Sequence, residues 1–469
     1  MESISSLGDV VVLGLGKTGI GVASYLADLS PERVGSVTLY GGASSKEDEQ
    51  TRELSQRGVR VVCGTENLEG SYDLAIVSPG IPMGSAFFRS AEEHAKNVMG
   101  EPEFAWSESP DRWVAITGTN GKTTTTLLTT QLLKVGGLDA QAVGNVGTLA
   151  TSCVADRDPN SWFVAELSSF QLAVTRRLHP RVACLLNVTP DHLEWHGSMD
   201  EYALAKERVF ANLNQGDLAI VSDEDEWCRS AIARLEARGL RVCHVSVHCP
   251  PKAQNAAYVS DGRLMVRLDG VEHRLVLAQN LSIKGDHNVQ NALAASCIAL
   301  ELGVSEGAVS HGLLSFQPLG HRIEPCGNID GVSYVNDSKA TNVDAVEKAL
   351  TAFVPGRVVV LLGGHDKGTE LSTLAHAVSA RCKAAVCYGE AGGRIAQALR
   401  VADDGMGLVV EEVPHMADAL ECARSLASEG DVVLLSPACS SFDEFANYLQ
   451  RGEEFKRLVA ELAAREGSR

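Results

Sequence analysis

The sequence predicts an α/β protein built on parallel sheets, and three observations carry that prediction. Short β-branched runs alternate with helical patterns from one end of the chain to the other. Two of those runs finish in glycine-rich turns that open helices. At 469 residues the chain exceeds what one hydrophobic core can organise. Strands that alternate with helices are buried on both faces and leave ligand sites at their carboxyl ends. The expected layout is three domains: a Rossmann-like N-terminal domain at 1–103, a central phosphate-loop ATPase domain with a parallel sheet at 104–318, and a Rossmann-like C-terminal domain at 319–469.

In the first domain, residues 10–13 form a continuous apolar strand, and Gly14-Leu15-Gly16-Lys17-Thr18-Gly19 opens a helix running to about 29. Further strands are expected at 36–40, 60–63 and 74–77, the last ending in Ser78-Pro79-Gly80. Gly14, Gly16 and Gly19 fit the dinucleotide-binding spacing, which also wants an acidic residue at the end of the second strand. That strand ends Leu39-Tyr40-Gly41-Gly42, with Glu47 and Asp48 several residues too late. A nicotinamide cofactor is therefore disfavoured. A phosphate-bearing ligand on these N–H groups, assisted by Lys17 and Thr18, is preferred.

The second domain opens with a strand at 114–117 and a helix at 122–134. Later strands are expected at 162–165, 182–187, 218–221 and 241–247, with a hairpin of 258–269 and 271–276 joined at Asp269-Gly270. An Ala/Leu-rich helix fills 287–302 and stops at Gly303. Phe316-Gln317-Pro318-Leu319-Gly320 breaks into the third domain, whose strands are expected at 332–336, 357–362, 384–388 and 431–435.

Composition narrows the function classes. A formal net charge of −19 argues against a broad nucleic-acid or anionic-membrane surface. No apolar run approaches the roughly 18 residues needed to span a bilayer. The N-terminus reads as a buried strand rather than an export signal, and the 12 cysteines are irregularly spaced. A cytoplasmic protein with reduced thiols is expected, and a monomer. Cys243, His244, His248 and Cys249 look like metal ligands, but in an extended strand the histidines face one side and the cysteines the other, so zinc is disfavoured.

The strongest chemical signal lies at 113–126, WVAITGTNGKTTTT. A strand, a glycine-rich turn, Lys and Thr, then a helix make a phosphate cradle, with backbone N–H groups turned inward and the helix N-terminus adding partial positive charge. Lys122 is placed to reach the β- and γ-phosphates of ATP, and Thr123 or Thr124 to offer a hydroxyl to Mg²⁺. Ile116 stands where the common pattern has its first glycine, so Gly118-Thr119-Asn120-Gly121-Lys122-Thr123 is a shortened version.

Four further segments accompany that loop: Glu166-Leu167-Ser168-Ser169-Phe170-Gln171, Asn187-Val188-Thr189-Pro190-Asp191-His192, Gly285-Asp286-His287-Asn288 and Asn336-Asp337-Ser338-Lys339-Ala340-Thr341-Asn342. Together they resemble the ATP-dependent Mur ligases, over essentially the whole chain. Leu435-Ser436-Pro437-Ala438-Cys439-Ser440-Ser441 and the 336–342 segment are most similar to the branch that adds D-glutamate to UDP-N-acetylmuramoyl-L-alanine, and no DNPR-type motif of the diaminopimelate or lysine adders is present.

The resemblance implies a cytoplasmic peptidoglycan ligase that works through an acyl phosphate with two Mg²⁺ ions. It assigns Lys122, Glu166, His192 and Lys206 to catalysis, with Thr123, Glu166, His192 and a carbamylated Lys206 at the metals. Gly118, Thr119, Asn120, Gly121, Lys122, Thr123, Thr124, Asn288, Asn291, Arg322, Asp337 and Lys339 would contact ATP. Gly16, Lys17, Thr18, Ser78, Pro79, Gly80, Asn145 and His192 would hold the UDP precursor, and Thr341, Lys367, Ser441 and Tyr448 the D-glutamate. Domain closure would complete the site and exclude water. Alternatives are a folylpolyglutamate synthase-like amide ligase, a dinucleotide-dependent oxidoreductase on the first glycine loop, and a non-catalytic nucleotide-binding regulator.

Overall fold

The computed structural model describes residues 6–317, 320–403 and 407–466. The expected boundary at 318, with Pro318 and Leu319, lies outside the described residues. Three sheets follow one another along the chain. The first is all parallel, in the order β3-β2-β1-β4-β5, from β1 (Gly8–Leu13), β2 (Val34–Tyr40), β3 (Arg60–Val62), β4 (Tyr72–Val77) and β5 (Ala95–Gly100). Its strands serve two cores by the period of two: Val10 and Val12 pack with Val22 and Leu26, whereas Val11 and Leu13 pack with Phe87 and Phe88.

The central sheet has nine strands in the order β14-β13-β12-β11-β10-β9-β6-β8-β7. They are β6 (Trp113–Thr117), β7 (Ala140–Gly144), β8 (Trp162–Glu166), β9 (Val182–Leu185), β10 (Leu218–Ser222), β11 (Arg241–Ser246), β12 (Asn255–Ser260), β13 (Arg263–Leu268) and β14 (Val271–Leu277). The strands from β6 to β12 are parallel; β13 and β14 are antiparallel additions. Because β8 and β9 flank β6 on opposite sides, their carboxyl ends frame the loop that leaves β6, the place where open α/β sheets bind ligands.

The third sheet runs β15-β16-β20-β17-β18-β19, from β15 (Glu324–Ile329), β16 (Val332–Asn336), β17 (Val358–Gly363), β18 (Cys382–Tyr388), β19 (Val409–Glu412) and β20 (Val432–Ala438). Only β15 is antiparallel to its neighbour. Val358, Val360 and Leu362 of β17 enter one core, and Val359 and Leu361 the other.

By compactness the chain forms two units, Met1–Asn280 with Gln290–Leu314, and Leu281–Val289 with Ser315–Arg469. The α/β class and the interior strands follow the sequence expectation. The stretch 258–269 does not: it is two strands, β12 and β13, turned at Asp261 (φ 48°) and Gly262 (φ 71°). Asp269 (φ 48°) and Gly270 (φ 83°) make the next turn the same way, so the region is a three-stranded meander rather than one hairpin.

Candidate functional site

The phosphate loop leaves β6 at Gly118 and enters helix Lys122–Val135 through Gly121, which is left-handed at φ 83°. A Cβ at Gly121 would lie 2.3 Å from Asn291 Oδ1, so the turn and the close approach both demand glycine. Asn187, two residues beyond the end of β9, clamps the loop. Its side chain accepts from Asn120 N at 2.8 Å and donates to Asn120 O at 3.1 Å, and its carbonyl accepts from Thr119 N at 2.9 Å. The buried Thr119 hydroxyl bridges Tyr202 Oη (3.0 Å) and Thr189 O (3.1 Å). Thr123 is half-buried and Thr124 buried on the first turn of the helix.

Two lysines meet on one carbonyl of this loop. Lys122 Nζ donates to Gly118 O and Thr119 O, each at 2.9 Å, and Lys206 Nζ donates to Gly118 O at 2.7 Å. Lys206 belongs to helix Met199–Glu207, whose N-cap Ser198 accepts from Glu201 N. Far from being a solvated helix charge, it is 1% exposed, with its Nζ 4.5 Å from the centre of the Tyr202 ring. Burial, then the charge of Lys122, push its pKa well below the ordinary lysine value.

Glu166 ends β8, one strand over from the loop, and is 2% exposed. Asn145 Nδ2 donates to its Oε1 at 2.9 Å, and Oε2 is buried with no hydrogen-bond partner among the described residues. Ser168 and Gln171 form a reciprocal capping box on helix Ser169–Ala173, which accounts for the polar residues of that motif. His192 is left-handed (φ 55°) at the start of helix Leu193–His196, with its ring 4.8 Å from Phe170 and its Nε2 3.5 Å from Asp191 Oδ2.

The first glycine loop has a different character. Gly16 and Lys17 are exposed and Thr18 half-buried at the start of helix Lys17–Ala27, and Lys17 Nζ donates to the Gly147 carbonyl. Gly19 packs so tightly on β1 that a Cβ would lie 1.8 Å from Gly14 O. Ser78 follows β4 with its hydroxyl buried and unpartnered among the described residues, and Pro79 and Gly80 form the adjoining turn.

The second unit gathers its own set. Asp337 and Lys339 leave β16; Asp337 Oδ2 accepts from Ser436 Oγ at 2.7 Å, Oδ1 from Ile323 N at 3.3 Å, and burial raises its pKa to about 7 against the pull of Ser436 and Arg322. Lys339 Nζ stands 3.9 Å from the Tyr448 ring centroid. Lys367 Nζ donates to Thr341 O at 3.2 Å, while Ser441 is buried in the loop after β20. Asn342, the last residue of its motif, caps helix Val343–Leu350. Asn288 Nδ2 donates to Lys284 O at 2.8 Å and lies in this unit, while Asn291, from the same helix Asp286–Glu301, lies in the first unit against Gly121.

Asn187 and Tyr202 carry no role in the sequence reading, yet both build the loop. Asn187 bore the same signal as Glu166, a polar residue closing a buried strand beside β6. Tyr202 stands four residues before Lys206, on the same helix face. The metal lookalike is split apart: Cys243 Sγ meets Cys297 Sγ at 3.3 Å in the core, while His244 faces Asp223 and Glu236.

The sequence matches the Mur ligase middle domain over residues 116–299 and the Mur ligase, glutamate ligase domain over 321–439. A UDP-N-acetylmuramoylalanine--D-glutamate ligase of Koribacter versatilis is 36% identical over 463 residues, spanning 97% of this chain and 98% of that protein. One of Acidobacterium capsulatum is 38% identical over 454 residues, spanning 96% and 95%. Among solved structures, the UDP-N-acetylmuramate-alanine ligase of Thermotoga maritima aligns over 97% of this chain and 99% of its own, with 21% identity and a TM-score of 0.57. A pseudomurein peptide ligase type C of Methanothermus fervidus aligns over 97% and 99%, with 16% identity and a TM-score of 0.59. These structures share the fold.

Proposed function

The chain belongs to the Mur ligase family, and on that premise we propose that it joins D-glutamate to UDP-N-acetylmuramoyl-L-alanine at the expense of ATP, in the cytoplasmic assembly of peptidoglycan. The observation that carries the reading is the convergence of Lys122 and Lys206 on the Gly118 carbonyl, one strand from the buried Glu166. The precursor's L-alanine carboxylate attacks the γ-phosphorus and ADP leaves; the D-glutamate amine then attacks the acyl carbon and phosphate leaves. A carboxylate approaching a polyanion needs its charge neutralised more than it needs a proton moved.

The chain supplies that neutralisation from fixed positions. Lys122 and the loop N–H groups of Gly118 to Thr124 hold the phosphates, with Asn288, Asn291, Arg322, Asp337 and Lys339 as further ATP contacts. The unpartnered Glu166 Oε2 fits a hard cation. With Thr123, His192 and carbamylated Lys206 it would hold two Mg²⁺ ions, which when bound offset charge on the transferring phosphoryl group. Lys206 is suited to carbamylation: burial and the neighbouring charge of Lys122 favour its neutral amine, whose lone pair can bond the carbon of CO₂ while its proton leaves to solvent. Asn145, besides orienting Glu166, contacts the precursor, as do Gly16, Lys17, Thr18, Ser78, Pro79, Gly80 and His192. Thr341, Lys367, Ser441 and Tyr448 receive D-glutamate.

The division at about 103 and 318 into precursor, ATP and amino-acid domains belongs to the same proposal. Among the described residues no helix is long and apolar enough to cross a membrane. The test is phosphate release by the purified protein. It should require ATP, UDP-N-acetylmuramoyl-L-alanine and D-glutamate together; equal turnover with L-glutamate would move the chain to another amide ligase class.

A further inference from the structure

One charged side chain is more deeply buried than any of the proposed ligand contacts and belongs to none of them. Arg451, on helix Tyr448–Glu466, is 0% exposed. Its Nε donates to Ser338 Oγ at 3.0 Å, Nη2 to the carbonyls of Ser338 (2.9 Å) and Cys439 (3.0 Å), and Nη1 to the carbonyl of Ser440 (3.3 Å). None of these acceptors is a carboxylate, although the guanidinium also feels the charge of the buried Asp337 on the first of the two loops, and burying a cation is costly even with a counter-ion nearby. Two hydrophobic residues of like volume would fill the space at less cost, so what the guanidinium adds is geometry: a rigid planar fork that reaches several acceptors at fixed angles.

The acceptors lie on two loops. One follows β16 and carries Asp337, Lys339 and Thr341; the other follows the neighbouring parallel strand β20 and carries Ser441. The Ser338 hydroxyl, while accepting from Arg451, donates to the Tyr448 carbonyl at 2.8 Å, which ties in the aromatic wall. Further ties join the two segments at the strand ends: Asp337 N to Leu435 O at 2.8 Å, Ser436 Oγ to Asp337 Oδ2 at 2.7 Å, and Ala438 N to Ala340 O at 3.0 Å.

We propose that Arg451 is a positioning residue that locks the loops after β16 and β20 in one register, so that the ATP-contacting Asp337 and Lys339 and the D-glutamate-contacting Thr341, Ser441 and Tyr448 are presented as one preformed unit. The assignment of those ligands rests on the function proposed above; the lock itself does not. A lysine keeps the charge of Arg451 but has no fork, so Arg451→Lys separates charge from geometry. We expect KM for D-glutamate and KM for ATP to rise together, each by about tenfold or more, the scale of losing a charge-assisted hydrogen bond. KM for the UDP precursor, bound by the first unit, should be unchanged. Hydrogen exchange on the ligand-free protein should show the amides of 337–341 and 438–441 exchanging faster together. Unchanged exchange in both loops overturns the lock, as does a uniform fall in kcat with all three KM values kept. If Arg451→Lys does not fold, Ser338→Ala removes the Nε acceptor and the tie to Tyr448 while leaving Arg451 in place; it should show the same paired rise in smaller measure, and parent-like constants and exchange would overturn the proposal. Faster exchange in a protein that never turns over D-glutamate would leave the lock standing and reject the functional reading instead.

Discussion

The two glycine loops of the first unit use one backbone device to different ends. Each follows a central parallel strand, β1 or β6, and each opens a helix whose N–H groups face outward. Around Gly16 the loop is exposed, nothing lies within 4 Å of where a Cβ would stand, and the lysine reaches away to the carbonyl of Gly147. Around Gly121 the loop is enclosed by Asn187, Asn291 and Tyr202, and two lysines crowd the carbonyl of Gly118. A helix N-terminus by itself binds an anion; chemistry on that anion needs concentrated, desolvated charge beside it. On the proposed function, the difference between holding a phosphate and transferring one lies in what surrounds the glycines.

The contrast is sharpest in the lysines. Lys122→Ala should lower phosphate release by on the order of 10³-fold, because nothing else on the loop replaces its charge at the γ-phosphate. Retention of more than a tenth of the parent rate would put the enclosed loop on a level with the open one. Lys206→Ala should be nearly as damaging, and short carboxylic acids should partly restore it by supplying the missing anionic oxygen; normal turnover without them would remove the carbamate from the mechanism.

Glycine substitutions probe the backbone separately. Gly121→Ala must tolerate a left-handed φ and a contact with Asn291, and should cost about 1–3 kcal/mol in urea unfolding along with nucleotide affinity. Gly16→Ala, with open space and φ −73°, should stay within about 0.5 kcal/mol. Equal losses at the two sites would erase the distinction.

Burial of Lys206 also carries a pH signature. Its folded pKa is depressed, so between that value and the ordinary 10.5 the unfolded chain binds the extra proton. Its contribution to stability is therefore full above about 10.5 and falls away as pH drops toward the folded value. Lys206→Met should make the unfolding midpoint at pH 7, in CO₂-depleted buffer, higher than the parent's, and should flatten its rise toward pH 9. The smallest expected change is in Lys17→Ala, a few-fold increase in KM for the UDP precursor with kcat kept.

The sequence marks interior strands more clearly than edge strands, although the edge strands β3 and β14 are also legible in it. Interior strands such as β6, β8 and β17 are apolar on both faces, and their runs of Val, Ile and Leu mark them without ambiguity. The four strands that went unread, β5, β7, β15 and β19, all lie at sheet edges. Edge strands face solvent on one side and tolerate residues such as Lys96 and Asn97 in β5, or Pro325 and Gly327 in β15, that spoil the pattern. The 258–269 region failed for a different reason. It holds Asp-Gly pairs at 261–262 and 269–270, and both turn the chain, whereas the expectation places a turn only at the second.

Chain-local chemistry makes the α/β class, the glycine-rich loop at 118–123, the strand-end carboxylate Glu166 and the family motifs legible along the chain. Spacing along the chain and residue type suffice for these, because a strand, a turn and a helix cap are built from neighbours. The surroundings of these groups come from tertiary packing. It put Lys206 inside the protein beside Lys122, left one oxygen of Glu166 without a partner among the described residues, set Asn187 as the clamp of the loop, and buried Arg451 between two loops about 100 residues apart. Desolvation and convergence depend on which distant segments pack together, and no local pattern in the sequence records that.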